Sequence, residues 1–564
     1  MKDIQMNNII ISDQLEVNKK EKKNYKILLI ISFLIGIIGL VIIMRLVEVS
    51  FPKKNLSMVD KNEIKKIDNK NRGMLLDRNN RILASNIYIY NLKAYPKKIK
   101  DPLYTINMLS NHISLNDSKA LFKKLKNKEK YEVLIKKNIT APQAKRINNL
   151  GIPGVEFVPV IKRFYPHREI TSHFVGHVNG NMVGQLGAER TFNNKLHLGE
   201  DINLGIDIRL QYIVRDELEK ARIKYNSKSA TAIIADLNNG EILSLVSLPD
   251  FNPNQSINPE LNSYTNTATL NLYEMGSTFK MFTITAALDL SQVNLETKFD
   301  ATKSIKIANY EIKDYKPQNR ILSTKEIFLN SSNIGSSLIA LEVGKLKLKN
   351  FYDKIGLLNI SNINLTEKTK PIVPKKWGKI QTATLSFGHG LSISPIQMIE
   401  ASSKLFNNNL DYKTQIHRKN KEDKIEKTKF LSENTIDTLK YLMYENTLNG
   451  TARKAKLNGF KIGGKTATGE KAEKGKYDKT KLVSSFLSVF PIENPKFISL
   501  VLFDEPSLGD VKNYREGATG GKTAAPVTAN IYRRIFPILG ITKNYNLDPE
   551  LLVDNKGELN FVSY

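Results

Sequence analysis

Residues Tyr273–Leu290 read YEMGSTFKMFTITAALDL, and the chain is organised around them. Gly276 ends an extended approach, and Phe279, Met281, Phe282, Ile284 and Leu288 carry enough apolar surface for a helix buried on most sides. Ser277 opens that helix, and residues three apart share a helical face, so the Ser277 hydroxyl and the Lys280 amine come within hydrogen-bonding reach. A serine is a poor nucleophile until a base takes its proton, and a lysine is a base only where its surroundings lower its pKa. Two residues alone fix nothing. The same S-x-x-K spacing recurs at Ser50 and Lys53, where Pro52 disfavours a helix.

At 564 residues, 41% of them hydrophobic, the chain has room for several domains with real cores. Lys and Arg number 85 against 56 Asp and Glu, a net charge of +29. The lysines are scattered and no nucleic-acid module is recognisable, so the charge is read as composition rather than as a nucleic-acid surface. The absence of cysteine excludes disulfides, thiol catalysis and cysteine zinc sites.

Residues 1–26 are polar and end in KKEKKNYK, and Ile27–Met44 follows with no charge at all, just long enough to cross a bilayer. That run exceeds a signal-peptide core and no small-x-small cleavage site follows, so it is expected to stay as an anchor. Lys19, Lys20, Lys22, Lys23 and Lys26 put the N-terminus on the cytoplasmic side and everything after Arg45 outside. From residue 50 to about 205 the pattern is mixed. RGMLLDRNNRILASN (72–86) reads as two short strands about an Asn79-Asn80 turn. His167, His173 and His177 lack the glutamate of H-E-x-x-H, and Gly176 weakens any helix there, so they are read as structural and no metal is expected.

Ala230–Asp236 and Glu241–Ser247 make a hairpin about Asn238, Asn239 and Gly240. A mostly helical middle runs to about Leu448, and strands return at Phe460–Thr466, Val483–Phe490 and Phe497–Asp504. Strands at both ends of a helical middle predict an α+β domain with an antiparallel sheet. Asn530–Leu539 reads as a closing helix, and 541–564 as a polar tail.

Two readings compete for the C-terminal third. GFKIGGKT (459–466) fits G-x-x-x-x-G-K-T, with ISLVLFDEP (498–506) as an acidic strand end for magnesium. A phosphate loop must be followed by a helix, whereas Thr468 onward reads as loop, and the anchor would hold the site away from cytoplasmic ATP. The second reading joins Ser277 and Lys280 to Ser331-Ser332-Asn333 and to GGKTAT (463–468), in the order S-x-x-K, S-x-N, K-T-x that marks penicillin-binding proteins and serine β-lactamases. In that chemistry Ser277 is the nucleophile and Lys280 the base, while Ser331 relays a proton to the leaving amine and Asn333 holds Lys280 and the substrate amide. Lys465 helps keep Lys280 neutral and, with Thr466 and Thr468, binds a substrate carboxylate. The backbone N–H groups of Ser277 and Thr468 form the oxyanion hole, where one lost donor costs about 2.7–4 kcal/mol.

The chain resembles the class B penicillin-binding proteins, peptidoglycan D,D-transpeptidases. Beyond the three motifs, the resemblance includes RGMLLDRNN, GAERTFN (187–193), IDIRLQ (206–211), LSLVSLPDFNPN (243–254), SFGHGLSISPIQ (386–397) and GGKTAAP (520–526). SSN in place of an S-x-D form, with YEMGSTFK and GTARKA, is similar to the division-specific FtsI type. The resemblance implies a cytoplasmic tail (1–26), an anchor (27–45), an elongated, mainly-β pedestal of dimerisation type (46–205), a transpeptidase domain (206–540) whose antiparallel sheet is flanked by helices, and a tail (541–564). It implies Ser277 as the serine acylated by the D-Ala-D-Ala end of stem peptides and by β-lactams, with no cofactor. It also implies an enzyme held in the bacterial inner membrane, its bulk periplasmic, partnered with the FtsW glycosyltransferase and other divisome proteins. An elongation-type transpeptidase and a β-lactam-hydrolysing or sensing protein share the same serine and lysine. Two positions depart from the family: Ala467 stands where Gly is usual, its methyl able to narrow the cleft edge, and His389 fills the middle of G-x-G, where it is expected to line the substrate groove.

Overall fold

The computed structural model describes residues 30, 32–44, 72–308, 310–419, 427–473, 476–509 and 517–544. Residues 32–44 are helical with their large apolar side chains exposed, Phe33 at 72% and Ile43 at 62% among them. No helix among the described residues is long and apolar enough to cross a membrane. The rest of the expected anchor, the lysine run before it and the tail from 545 lie outside the described residues.

The N-terminal hairpin forms as expected. Leu75–Leu76 pairs with the start of Ile82–Ala94, and Asp77 Oδ1 closes the turn by accepting from the N–H groups of Asn79 (2.7 Å) and Arg81 (2.8 Å). Ile82–Ala94 then pairs with Val133–Ile139 and Val155–Phe164, while Leu75–Leu76 pairs in parallel with Ile202–Asn203. The expectation of a mainly-β pedestal needs correction. Helices Pro102–Ser110, Ser118–Lys126 and Ala141–Asn148, capped by Asp101, Asp117 and a Thr140/Gln143 capping box, bury Leu109, Leu121, Leu125, Ala144 and Ile147, making this part α+β. Each helix is only eight or nine residues long, and lysines dominate Ser118–Lys126, so the sequence pattern does not announce them.

Two motifs far apart in sequence meet at the base of the pedestal. Arg72 and Arg163 close on the carboxylate of Glu189, in GAERTFN, through Nε contacts of 2.8 and 2.7 Å. All three side chains are almost wholly buried. Gln211, on helix Ile208–Lys224, donates to the carbonyls of Ile170 and Leu245 (both 2.8 Å), tying this base to the sheet that follows.

That sheet is antiparallel, in the order Gly463–Glu473, Lys476–Phe490, Phe497–Asp504, Ser229–Asp236, Ile242–Leu248. Both faces are buried, and alternation along each strand divides the side chains between two cores. Ile233, Leu245, Leu487, Leu500 and Leu502 face the helical middle, whereas Ala232, Ile234, Val246, Phe486, Val501 and Phe503 face helices Ile208–Lys224 and Ala524–Ile535. Truncating one such leucine to alanine costs about 2–5 kcal/mol.

Three expectations shift. The edge strand starts at Gly463 rather than Phe460 and runs on to Glu473, and its partner begins at Lys476, so Thr468 onward is strand and not loop. This arm pairs Lys471 with Asp478 and Glu473 with Lys476, polar residues on both strands, so no apolar alternation announces it. The closing helix spans Ala524–Ile535, starting earlier than Asn530, with Val527, Ile531 and Ile535 buried four residues apart. The middle region carries small hairpins, such as Ile305–Ile307 with Tyr310–Ile312, among its helices.

Candidate active site

Tyr273–Glu274 pairs with Ser392–Ile393, and a tight turn over Gly276–Thr278 leads into helix Phe279–Asp289, buried at its first nine positions. Gly276 holds φ at +53°, and a Cβ there would stand 3.1 Å from the Thr468 carbonyl oxygen. Glycine lets the turn carrying Ser277 press against the sheet edge. In an antiparallel strand the N–H and C=O of one residue point to the same side, so with its carbonyl facing Gly276 the Thr468 N–H also faces the cleft.

Lys280 is fully buried and sits among four oxygens: Asn333 Oδ1 at 2.7 Å, Ser277 Oγ at 2.8 Å, the Ser331 carbonyl at 2.9 Å and Ser331 Oγ at 3.2 Å. The amide and carbonyl oxygens only accept. A neutral amine has two protons and one lone pair, so donating to those two leaves the lone pair for the Ser277 hydroxyl. Burial, then the charge of Lys465, hold the Lys280 pKa well below the usual lysine range against the opposing pull of Asp314. Lys465 is also fully buried, donates to Ser331 Oγ at 3.0 Å, and is pushed down by burial to about 7. The Ser331 hydroxyl thus bridges the two amines. Ser331 is held in the left-handed region (φ 57°) at the end of helix Thr324–Asn330, a strain of order 1–3 kcal/mol that its surroundings must enforce.

Asp314 contributes to that enforcement, and sequence reasoning missed it. Its carboxylate accepts from Ser332 Oγ (2.7 Å), from the N–H of Ile334 (2.9 Å) and from the N–H of Asn333, at the positive start of helix Asn333–Val343. Asp314 lies in the polar stretch EIKDYKPQNR, where nothing in the pattern distinguishes it.

Thr466 Oγ1 donates to Thr451 Oγ1 at 2.6 Å, and Thr468 Oγ1 accepts from the Gly520 N–H at 3.1 Å. The structure therefore gathers Ser277, Lys280, Ser331, Asn333 and Lys465 into one hydrogen-bonded cluster and sets Thr466 and Thr468 on its edge strand. Ala467 is 3% exposed, on the same strand face as Lys465, so its methyl is buried. His389 stacks on Tyr477 (5.3 Å between ring centres) beside Phe387, and the Tyr477 hydroxyl donates to Glu274 at 3.0 Å. Burial and the Lys280 charge push His389 down to about 4. His173 bonds the Ser263 carbonyl at 2.9 Å and His177 the Tyr264 hydroxyl at 3.0 Å, so both rings serve protein partners. The phosphate-loop reading fails because Gly463–Glu473 is one continuous strand.

The comparisons fit this geometry. The profile described as "Penicillin binding protein transpeptidase domain" matches residues 230–533, and the one described as "Penicillin-binding Protein dimerisation domain" matches 67–201. The chain is 32% identical over 490 residues to "Probable peptidoglycan D,D-transpeptidase FtsI" of Caulobacter vibrioides, covering 84% of this chain and 82% of that one. It is 29% identical to "Stage V sporulation protein D" of Bacillus subtilis, covering 84% and 79%. Against "Peptidoglycan D,D-transpeptidase FtsI" of Escherichia coli it is 27% identical, covering 85% of each. With more than half of the chain matched by the transpeptidase profile and the three motifs converging in one cleft, the chain belongs to the penicillin-binding proteins, as a class B member of the FtsI type.

Proposed function

We propose that the protein is the peptidoglycan D,D-transpeptidase of the division septum, cross-linking stem peptides through an acyl-enzyme on Ser277. The observation that carries this is the 2.8 Å contact between Ser277 Oγ and a buried Lys280 whose other contacts suit a neutral amine. Lys280 takes the Ser277 proton as Oγ attacks the carbonyl carbon of the penultimate D-Ala. The oxyanion forms between the N–H groups of Ser277 and Thr468. Ser331, between Lys280 and Lys465, passes a proton to the departing D-Ala amine, and an amine of a second stem peptide then takes the acyl group. Lys465, Thr466 and Thr468 line the carboxylate side, Asn333 orients Lys280, and His389 lines the groove.

The same reading divides the chain at about residue 205, since helix Ile208–Lys224 packs on the transpeptidase sheet. It takes the apolar side chains of 32–44 as lipid-facing, within an inner-membrane anchor that leaves the bulk of the chain periplasmic. FtsW and other divisome proteins are the partners this reading proposes. Intact mass of the full chain in detergent, before and after a penicillin, tests the chemistry. The expected result is a single adduct on Ser277, stable for minutes to hours and lost in Ser277→Ala. Absence of an adduct on folded protein refutes the reading, and subsecond turnover of the adduct assigns the chain to hydrolysis instead.

A further inference from the structure

Helix Pro395–Asn407 turns one stripe of side chains, Gln397, Glu400, Ala401 and Lys404, toward a cavity of about 260 Å³. Residues three and four apart share a helical face, so the stripe follows from spacing. The facing wall is the end of helix Lys345–Lys354 and the loop through Asn362, and none of these residues belongs to the catalytic cleft. Glu400 and Lys404 have the i, i+4 order that favours an ion pair on a helix, but no ion pair joins them. The buried Glu400 carboxylate is engaged by the loop instead, accepting from Ser361 Oγ at 2.6 Å and from the Asn362 N–H at 3.0 Å. Lys404 is only 6% exposed, and among the described residues no group accepts from its ammonium. Its Nζ lies 3.4 Å from where a Cβ on Gly356 would stand, and Gly356 lines the cavity, so the amine opens into it.

A buried ammonium without an anion is costly. Burial pushes the Lys404 pKa down, against the pull of Glu400 and Asp411. At the exposed rim stand Lys354 and Asp353, whose Oδ1 accepts from Asn359 Nδ2 at 2.9 Å. Two cations and two anions thus line the space, and its charge balances. A phosphate or a polycarboxylate would meet Glu400 and Asp353 as well as Lys404, and like charges brought together are penalised. A ligand with one carboxylate for Lys404 and one ammonium for Asp353 meets an opposite charge at each end. At roughly 30 Å³ per water the cavity holds the space of about eight waters, the scale of an amino acid or a dipeptide.

We propose that this cavity is a binding site for a small zwitterion, an amino acid or short peptide, whose carboxylate pairs with Lys404 and whose ammonium faces Asp353. The site lies outside the catalytic cluster, and its existence does not depend on the transpeptidase reading.

The full chain in detergent is titrated by calorimetry with glycine, glycylglycine, N-acetylglycylglycine (no ammonium), glycylglycinamide (no carboxylate) and inorganic phosphate. The parent is expected to bind glycylglycine, and to bind the amide about tenfold or more weakly, the worth of one hydrogen bond between charged groups. The tighter of glycine and glycylglycine tells whether the occupant is a free amino acid or a peptide. Lys404→Met is expected to lower glycylglycine affinity by the same factor, while melting no lower than the parent because an unpaired buried charge is gone. Asp353→Asn, at the exposed rim, tests the site even where Lys404→Met fails to fold. It is expected to weaken glycylglycine by up to about fivefold, the range of an exposed ion pair, and to leave the acetylated form unchanged. Lys404→Met that binds glycylglycine like the parent overturns the proposal, as does equal affinity for the amide, tighter binding of phosphate, or a parent that binds neither zwitterion. Asp353→Asn that leaves glycylglycine unchanged, or weakens the acetylated form as much, overturns the zwitterion assignment.

Discussion

Two clusters of buried charge, one at the base of the pedestal and one in the cleft, are built on opposite principles. At the base, the Glu189 carboxylate sits between the guanidinium groups of Arg72 and Arg163 through contacts of 2.6–2.8 Å. In the cleft, Lys280 and Lys465 are two amines reaching one hydroxyl, with Asp314 engaged by the Asn333 helix start. Guanidinium against carboxylate satisfies charge with charge and locks two segments together. Amine beside amine, out of water, leaves charge unsatisfied, and the pKa values of both lysines are lowered. Burial of charge thus marks structure where partners match and chemistry where they do not.

The largest expected effect sharpens the cleft side. Lys280→Met should slow acylation by about 10²- to 10⁴-fold, the usual worth of a general base. The pH profile gives the cause. Lys280 acts when neutral, so acylation should fall as pH drops through its depressed pKa. Lys465→Met removes a charge that depresses that pKa, so the acid limb should move to higher pH. A limb that stays in place or moves the other way breaks the electrostatic account. Lys465 also binds fewer protons folded, with its pKa at about 7, than unfolded, at 10.5. By linkage it makes folding more favourable as pH rises between those values, and Lys465→Met should flatten that slope in pH-dependent melts.

On the pedestal side, Glu189→Gln leaves two buried arginines without their anion and should cost about 3–5 kcal/mol, read by denaturant unfolding of the full chain. Acylation per folded molecule should stay the same. A variant as stable as the parent would show that this cluster holds nothing together. The smallest effect is expected at Ala467→Gly. The methyl is buried on the face of Lys465 rather than placed at the open edge, so the acylation rate should change by less than about threefold, with at most about 1 kcal/mol lost to the freer backbone. A gain of orders of magnitude would show that the methyl does narrow the cleft.

How much was legible differs between the same two regions. Phe497–Asp504 was readable residue for residue because both its faces are buried, leaving an unbroken apolar run. The arm from Thr468 to Lys481 was not, since its residues are mostly polar and carry no apolar period. The pedestal helices were hidden by their shortness, eight or nine residues each, and in Ser118–Lys126 by its lysines. In the cleft, Ser277 with Lys280 followed from helical spacing, and Ser331, Asn333 and Lys465 from motif order. Asp314 carries no such mark, because its role comes from what faces it.

By itself the sequence determined the nucleophile and its base, three residues apart across the turn into one helix, and the antiparallel sheet whose apolar runs needed cover on both faces. Only the tertiary structure decided the protonation states. A pKa depends on burial and on charges brought from other segments, as Lys465 and Asp314 are brought to Lys280. The direction of each hydroxyl proton likewise depends on whether its neighbour can donate or only accept. For Lys280 the groups responsible, Asp314 and Lys465, lie 34 and 185 residues away along the chain, beyond the reach of local spacing.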